Sequence, residues 1–282
     1  MKILVMFTGG TIGSRKSGAV IDIDAVMPFH LLESYLAQPQ AKAVEFDTNQ
    51  PIFLLSENLS PDDWYLLLDA LKAIDQSAYD GIIIAHGTDT LPYTSAVVSF
   101  GVQQCDIPIM FVSSDYPLDD ERANGLVNFS HAVDFIADAV APGIFVVFKN
   151  SDGESKVHLG SRLREADPYS DDFDSVNGVN FGTMKEGSFV YNDDARNISA
   201  VTLKQYDFSQ RTGVLFGSDV LYIQPFVGLN YEYFRFDLKK PKAVLHGLYH
   251  SGTGNSSDRQ KHSIKTFLAY CESYGVAVYA AP

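Results

Sequence analysis

Two cysteines occur among the 282 residues, Cys105 and Cys271, far apart and in no spacing that suits a metal or redox motif. Their scarcity excludes a disulfide scaffold and points to two reduced thiols in a cytoplasmic protein. Basic residues are outnumbered as well, 21 lysines and arginines against 35 acids, for a formal net charge of -14. That surplus opposes binding to phosphate backbones, and no basic run or basic-aromatic alternation offsets it, so no nucleic-acid partner is expected. No apolar stretch approaches the length of a membrane span. The start, Met1-Lys2-Ile3, runs directly into an apolar segment, without a charged leader and small-residue cleavage site. Internal repeats and low-complexity tracts are also missing. What remains is 46% hydrophobic and 20% charged, the composition of a folded protein with a sizeable core.

Two glycine motifs rich in threonine stand out, each closing a run of apolar β-formers. Ile3-Leu4-Val5-Met6-Phe7 leads into Thr8-Gly9-Gly10-Thr11-Ile12-Gly13, and Ile82-Ile83-Ile84-Ala85 leads into His86-Gly87-Thr88-Asp89-Thr90. Continuous apolar runs are expected of strands buried on both faces, and such strands deliver their carboxyl ends to a ligand crevice. Further strands are expected at Ile52–Leu55, Ile107–Val112 and Gly143–Phe148, with helices at about 61–74, 92–102 and 125–139. Ser60-Pro61-Asp62-Asp63 carries the start signals of the first of these helices: a capping serine, proline in the first turn, then acids. Alternation of strands and helices predicts an α/β fold, a large doubly wound and mostly parallel sheet domain over 1–192. A polar linker is expected at 193–212 and a smaller α/β domain at 213–282, with strands at Val220–Ile223, Ala243–His246 and Val276–Tyr279 and a helix from about 258 to 274.

The chemistry at these strand ends has competing readings. A glycine-rich turn after a strand cradles phosphate, yet Thr8–Gly13 lacks both the G-x-G-x-x-G spacing and a following Gly-Lys-Ser/Thr. A turn that simply needs glycine explains the glycines equally well. Asp89 or Thr90 can cap a helix, and His86 reads as a structural histidine. Neither explanation accounts for hydroxyls and a carboxylate recurring after two buried strands. A threonine hydroxyl needs a base or proton relay to attack a carbonyl, and N–H groups of a glycine-rich turn stabilise the resulting oxyanion. Asp89 can hold a substrate ammonium, and Ser56 and Glu57, at another expected strand end, can hold a carboxylate and an ammonium. The polar stretch from Ser14 to Asp24 is a candidate lid.

These residues resemble the bacterial-type L-asparaginase family, closest to its shorter cytoplasmic branch. The family's T-G-G-T-I-[AG] signature stands at Thr8 to Gly13 and its H-G-T-D-T signature at His86 to Thr90. Leu91–Ser95, Ser60–Trp64, and Pro117–Gly125 with Asn128 are similar to that branch too. The resemblance implies cofactor-free hydrolysis of L-asparagine to L-aspartate and ammonia, in a homodimer or dimer of dimers, with no metal. It makes Thr11 the nucleophile that forms an acyl-enzyme, Thr88 a second catalytic hydroxyl, and Asp89 the ammonium-binding member of the relay. Gly10, Ser56, Glu57, Ser114 and Asn255 become candidate substrate-binding residues, with Asn255 in a loop that reaches a neighbouring subunit's site.

Three departures from the family pattern accompany this. Gly160-Ser161-Arg162-Leu163-Arg164-Glu165 puts Glu165 where the family has its relay lysine, which inverts the local charge. Lys156 and Arg164 are possible substitutes. Gly18-Ala19-Val20-Ile21 lacks the lid tyrosine, and the family continues for a few dozen residues past the last strand of this chain. The departures keep alternatives open: a catalytically impaired relative that binds a small amino acid, or an amidohydrolase of altered ω-amide preference. The family-like amidotransferase component that acts on mischarged tRNA fits less well, because the chain shows no RNA-handling region and is acidic.

Overall fold

The structure is a computed structural model that describes residues 1–9, 14–17, 20–23, 27–210 and 217–281. The chain divides into two compact units, Met1–Val214 and Leu215–Pro282. The first begins with β1 (Lys2–Phe7), the hairpin strands β2 (Ser14–Ser17) and β3 (Val20–Ile23), α1 (Met27–Leu36) and β4 (Glu45–Asn49). It continues through α2 (Pro61–Lys72), β5 (Gly81–Ala85), α3 (Leu91–Gly101), β6 (Pro108–Val112), α4 (Gly125–Ala137) and β7 (Gly143–Lys149). β8 (Ser155–Leu159), β9 (Gly182–Lys185), β10 (Ser188–Tyr191) and α5 (Ala200–Lys204) complete it.

Eight of these strands form one sheet in the order β10-β9-β8-β7-β6-β5-β1-β4, parallel from β4 to β7 and antiparallel beyond β7, and β2 and β3 pair apart from it. Alternate residues of the parallel strands point to opposite faces, and both faces are covered. Ile3, Val5, Ile83, Met110, Val112, Phe145 and Val147 pack with α1 and α4, through residues such as Leu31, Tyr35, Phe129 and Ile136. Leu4, Met6, Ile82, Ile84, Phe111 and Val146 pack with α2 and α3, through Leu67, Leu71, Leu91 and Val98. This two-sided burial is why the runs in β1, β5, β6 and β7 are continuously apolar.

Two local expectations differ from the structure. Ile52–Leu55 is not a strand; the more polar Glu45–Asn49 pairs with β1 instead, as an edge strand with one partner. Pro51 precedes the apolar run, which crosses the end of β1 with a hydrogen bond from Leu54 N to Thr8 O at 3.3 Å. The stretch read as a linker, 193–212, carries α5 and buries Leu203 and Phe208 in the two cores of the first unit. Those two apolar anchors hold a mostly polar segment against the domain. The candidate lid pairs as β2 with β3, Ser14 opposite Ile23 and Ser17 opposite Val20.

The second unit holds β11 (Val220–Ile223), β12 (Ala243–Gly247), α6 (Ile264–Ser273) and β13 (Ala277–Ala281). Its strands are parallel in the order β11-β12-β13. Ile223, Val244, Phe267 and Cys271 form the core of this unit with Tyr231 and Phe236. α6 starts later than expected from sequence because a short turn, Gln260–His262, precedes it.

Candidate active site

β4 lies on one side of β1 and β5 on the other, so the chain leaving β1 and the chain leaving β5 diverge. In an open α/β sheet a crevice opens where such connections part, outside the strands' carboxyl ends. Thr8 and Gly9, which open the first glycine motif, and the second motif sit at this switch point. Thr8 is buried, and its N–H and Oγ1 donate to Ala85 O at 3.1 and 3.0 Å, joining the two strand ends. Gly9 has φ +98°, and a Cβ there would lie 2.2 Å from Leu54 O, so only glycine lets the crossing chain approach. Gly10 and Thr11 lie outside the described residues.

The second motif is tied on both sides. His86 N donates to Val112 O at 2.9 Å, and Ser113 Oγ donates to His86 O at 2.7 Å. The His86 ring is fully buried, with Nδ1 2.8 Å from Gly87 O, and burial depresses its pKa to about 4. It is therefore a neutral structural residue at neutral pH. Thr88 is half-buried and Asp89 keeps much of its surface in solvent. Thr90 Oγ1 donates to the Ser56 carbonyl at 2.9 Å, which draws the Ser56–Asn58 turn against the Thr88–Thr90 turn. Loss of hydration raises the Asp89 pKa, and the adjacent Glu57 carboxylate and then Asp171 raise it further. Four of the expected residues, Ser56, Glu57, Thr88 and Asp89, are thus brought together.

Ser114 is buried at the end of β6, but its hydroxyl is occupied: it donates to Tyr116 O and accepts from Gly125 N at 3.1 Å. Asp115 beside it accepts from Tyr116 N at 2.9 Å and Asn124 N at 3.1 Å, and loss of hydration raises its pKa. Asn255 belongs to the second unit, where its Oδ1 accepts from Ser257 N at 3.1 Å and its carbonyl accepts from Ile264 N at 2.7 Å.

Glu165 is exposed and accepts a hydrogen bond from the Tyr93 hydroxyl. The carboxylate that crowds Asp89 is Glu57, not the residue at the family's lysine position. Of the expected substitutes, Lys156 lies 4.0 Å from the Asp152 carboxylate and Arg164 is exposed. Sequence reasoning passed over Asp115 and Asp171. Asp115 had a signal, following two serines at the end of an apolar run. Asp171 had none, because it arrives from a distant loop in which it adopts φ +58°. Among the described residues no three His, Cys, Asp or Glu side chains are grouped to hold a metal ion, and no helix is long and apolar enough to cross a membrane.

A large, mostly parallel sheet with helices on both faces defines an α/β protein. The family profile described as "Asparaginase, N-terminal" matches residues 2–197. The chain belongs to the asparaginase family. It is 32% identical over 192 residues to a subunit of the glutamyl-tRNA(Gln) amidotransferase from Methanosarcina mazei, covering 65% of this chain and 43% of that protein. With an L-asparaginase from Thermococcus kodakarensis it shares 34% identity over 168 residues, 58% of this chain and 47% of that one. The chain therefore matches a little under half the length of these curated relatives. The solved thermostable L-asparaginase from Thermococcus kodakarensis superposes with a TM-score of 0.74 at 23% identity, over 99% of this chain and 79% of that one, which supports the fold.

Proposed function

We propose that the chain hydrolyses the side-chain amide of L-asparagine to L-aspartate and ammonia, without a cofactor. The observation that carries this reading is the Thr90–Ser56 hydrogen bond of 2.9 Å, which holds the two polar turns together at the sheet's switch point. Membership of the asparaginase family supports an amidohydrolase. In this reading Thr11 Oγ1 attacks the carboxamide carbon, and backbone N–H groups of the Thr8–Gly13 turn stabilise the oxyanion. The C–N bond breaks as the nitrogen takes a proton relayed through Thr88, and ammonia leaves an acyl-enzyme ester. Water then cleaves the ester, returns the proton to Thr11 and releases the carboxylate.

Asp89 and Glu57 hold the α-ammonium, the Ser56 hydroxyl the α-carboxylate, and Gly10 lines the same turn as Thr11. The occupied hydroxyl of Ser114 leaves it a supporting place in the β6 turn. Asn255 completes the site of a neighbouring copy in a homodimer or dimer of dimers. Two free, buried cysteines suit the cytoplasm. The test is ammonia release from L-asparagine, with Thr11→Ala expected to lose roughly a thousandfold or more in rate. Activity like that of the unmodified protein in Thr11→Ala overturns the assignment.

The Methanosarcina mazei relative favours a second reading, the same amide cleavage serving an amidotransferase. Ammonia release from L-glutamine that depends on added tRNA would support it. The net charge of -14 counts against it.

A further inference from the structure

Asparagine is followed by glycine at two places in the chain, Asn124-Gly125 and Asn177-Gly178. At such a pair the glycine nitrogen can close a five-membered ring onto the asparagine side-chain carbon, and the missing glycine side chain leaves the attack unhindered. The two pairs share this chemistry and differ in their surroundings. Asn124 is 6% exposed, its Nδ2 donates to Lys149 O at 2.9 Å, and its Oδ1 accepts from Asp115 N at 3.1 Å. Gly125 opens α4 with its N–H donated to Ser114 Oγ at 3.1 Å. A Cβ at Gly125 would lie 2.7 Å from Ser114 Cβ and 2.9 Å from Leu118 Cδ2. Ring closure there requires the packed start of α4 to open.

The second pair is free of such walls. Val176, Asn177 and Gly178 are exposed and form one turn, closed by Gly178 N to Ser175 O at 2.9 Å. Asn177 holds φ +61° and ψ 17°, and Gly178 follows at φ +67°. Asparagine and glycine are the residues that take such angles readily. A Cβ at Gly178 would meet nothing within 4 Å. The chain is anchored on either side of this turn. Ser175 is fully buried with its Oγ 2.8 Å from His158 Nδ1, and Val179 is 4% exposed. Rotation about the Asn177 backbone therefore costs a local opening of one turn, where the Asn124 pair needs a core element to yield.

We propose that Asn177 is a site of spontaneous covalent modification, at which the side-chain amide is lost and isoaspartate forms beside aspartate. Hydroxide takes the proton of the Gly178 N–H, and the nitrogen attacks Asn177 Cγ. The Cγ–Nδ2 bond breaks, ammonia leaves with a proton from water, and a cyclic imide remains. Water then adds to one of the two imide carbonyls. Opening on one side gives aspartate; opening on the other gives isoaspartate, whose main chain runs through the side-chain carbons. Each chain takes up one water and releases one ammonia, with no oxidant or cofactor. The product carries an added negative charge and, as isoaspartate, an extra main-chain carbon between buried Ser175 and Val179. None of this involves the crevice at the strand ends. A single ammonia per chain is also not turnover, so the site stands or falls apart from the proposed function.

The test is peptide mapping by mass spectrometry of the full chain after prolonged incubation at neutral and at mildly alkaline pH, folded and in urea, with aspartate and isoaspartate peptides separated. In the folded protein Asn177 is expected to convert at least about tenfold faster than Asn124, because only the buried pair needs a larger opening. The rate should rise with pH, isoaspartate should be present, and the two pairs should convert alike in urea. Equal rates at the two pairs in the folded protein overturn the proposal, as does an Asn177 that stays intact when folded and converts in urea. Aspartate without isoaspartate overturns the ring route. A preference of the same size in urea would trace it to neighbouring residues and overturn the structural argument.

Discussion

The Tyr93 hydroxyl donates to Glu165, so the carboxylate standing where the family has a lysine is engaged by a residue of α3. Glu165→Lys restores the charge that the family carries at this position and is expected to raise kcat/KM for L-asparagine several-fold. Steady-state ammonia release checks this, and a loss of activity would show that the Tyr93–Glu165 contact itself supports turnover.

Asp89 must be ionised to hold an ammonium, and its pKa is raised by lost hydration and by Glu57. The acid limb of kcat/KM is then expected above the ordinary aspartate value, with activity growing as pH rises through it. Glu57→Gln removes the like charge and should move that limb to lower pH. A pH-rate profile in which the limb stays put would remove Asp89 from the acid limb.

Gly9 joins backbone geometry to the site. Its φ of +98° and a Cβ contact of 2.2 Å with Leu54 O leave no room for a side chain. Gly9→Ala is expected to cost on the order of 3 kcal/mol in stability and to suppress turnover, because the chain leaving β1 must shift away from Leu54. Urea denaturation and ammonia release on the same preparation test both parts.

His86 and His158 are fully buried, and burial depresses both pKa values to about 4, against about 6.5 for an exposed histidine. The folded state keeps them neutral while the unfolded chain takes up protons below pH 6.5. Their contribution is therefore complete above about pH 6.5 and is lost as pH falls toward 4. Two such groups give a slope approaching about 3 kcal/mol per pH unit in that window. Urea midpoints at a series of pH values measure it, and His158→Gln should flatten the slope.

Much of the fold was legible because its strongest signals are local. The apolar runs at Ile3–Phe7, Ile82–Ala85 and Gly143–Phe148 could be read as two-sided strands, since every position is buried. The start of α2 was legible from Ser60 and Asp63, where the Ser60 N–H and hydroxyl both donate to the Asp63 carboxylate at 2.8 and 2.6 Å. Ile52–Leu55 misled because its apolar content reflects packing of a crossing segment and not pairing in the sheet.

The sequence by itself determined the apolar periods, the capping signals, and the threonines and aspartate of two strand-end motifs. These depend on residue type and near neighbours, and burial of continuous apolar runs enforces them. Only the tertiary structure decided which charges meet. Glu57 reaches Asp89 through a hydrogen bond between residues 34 positions apart, and Asp171 arrives from a loop more distant still. Glu165 finds Tyr93 across 72 positions. Electrostatic partners are set by distance in space, which chain closure fixes and residue order does not reveal.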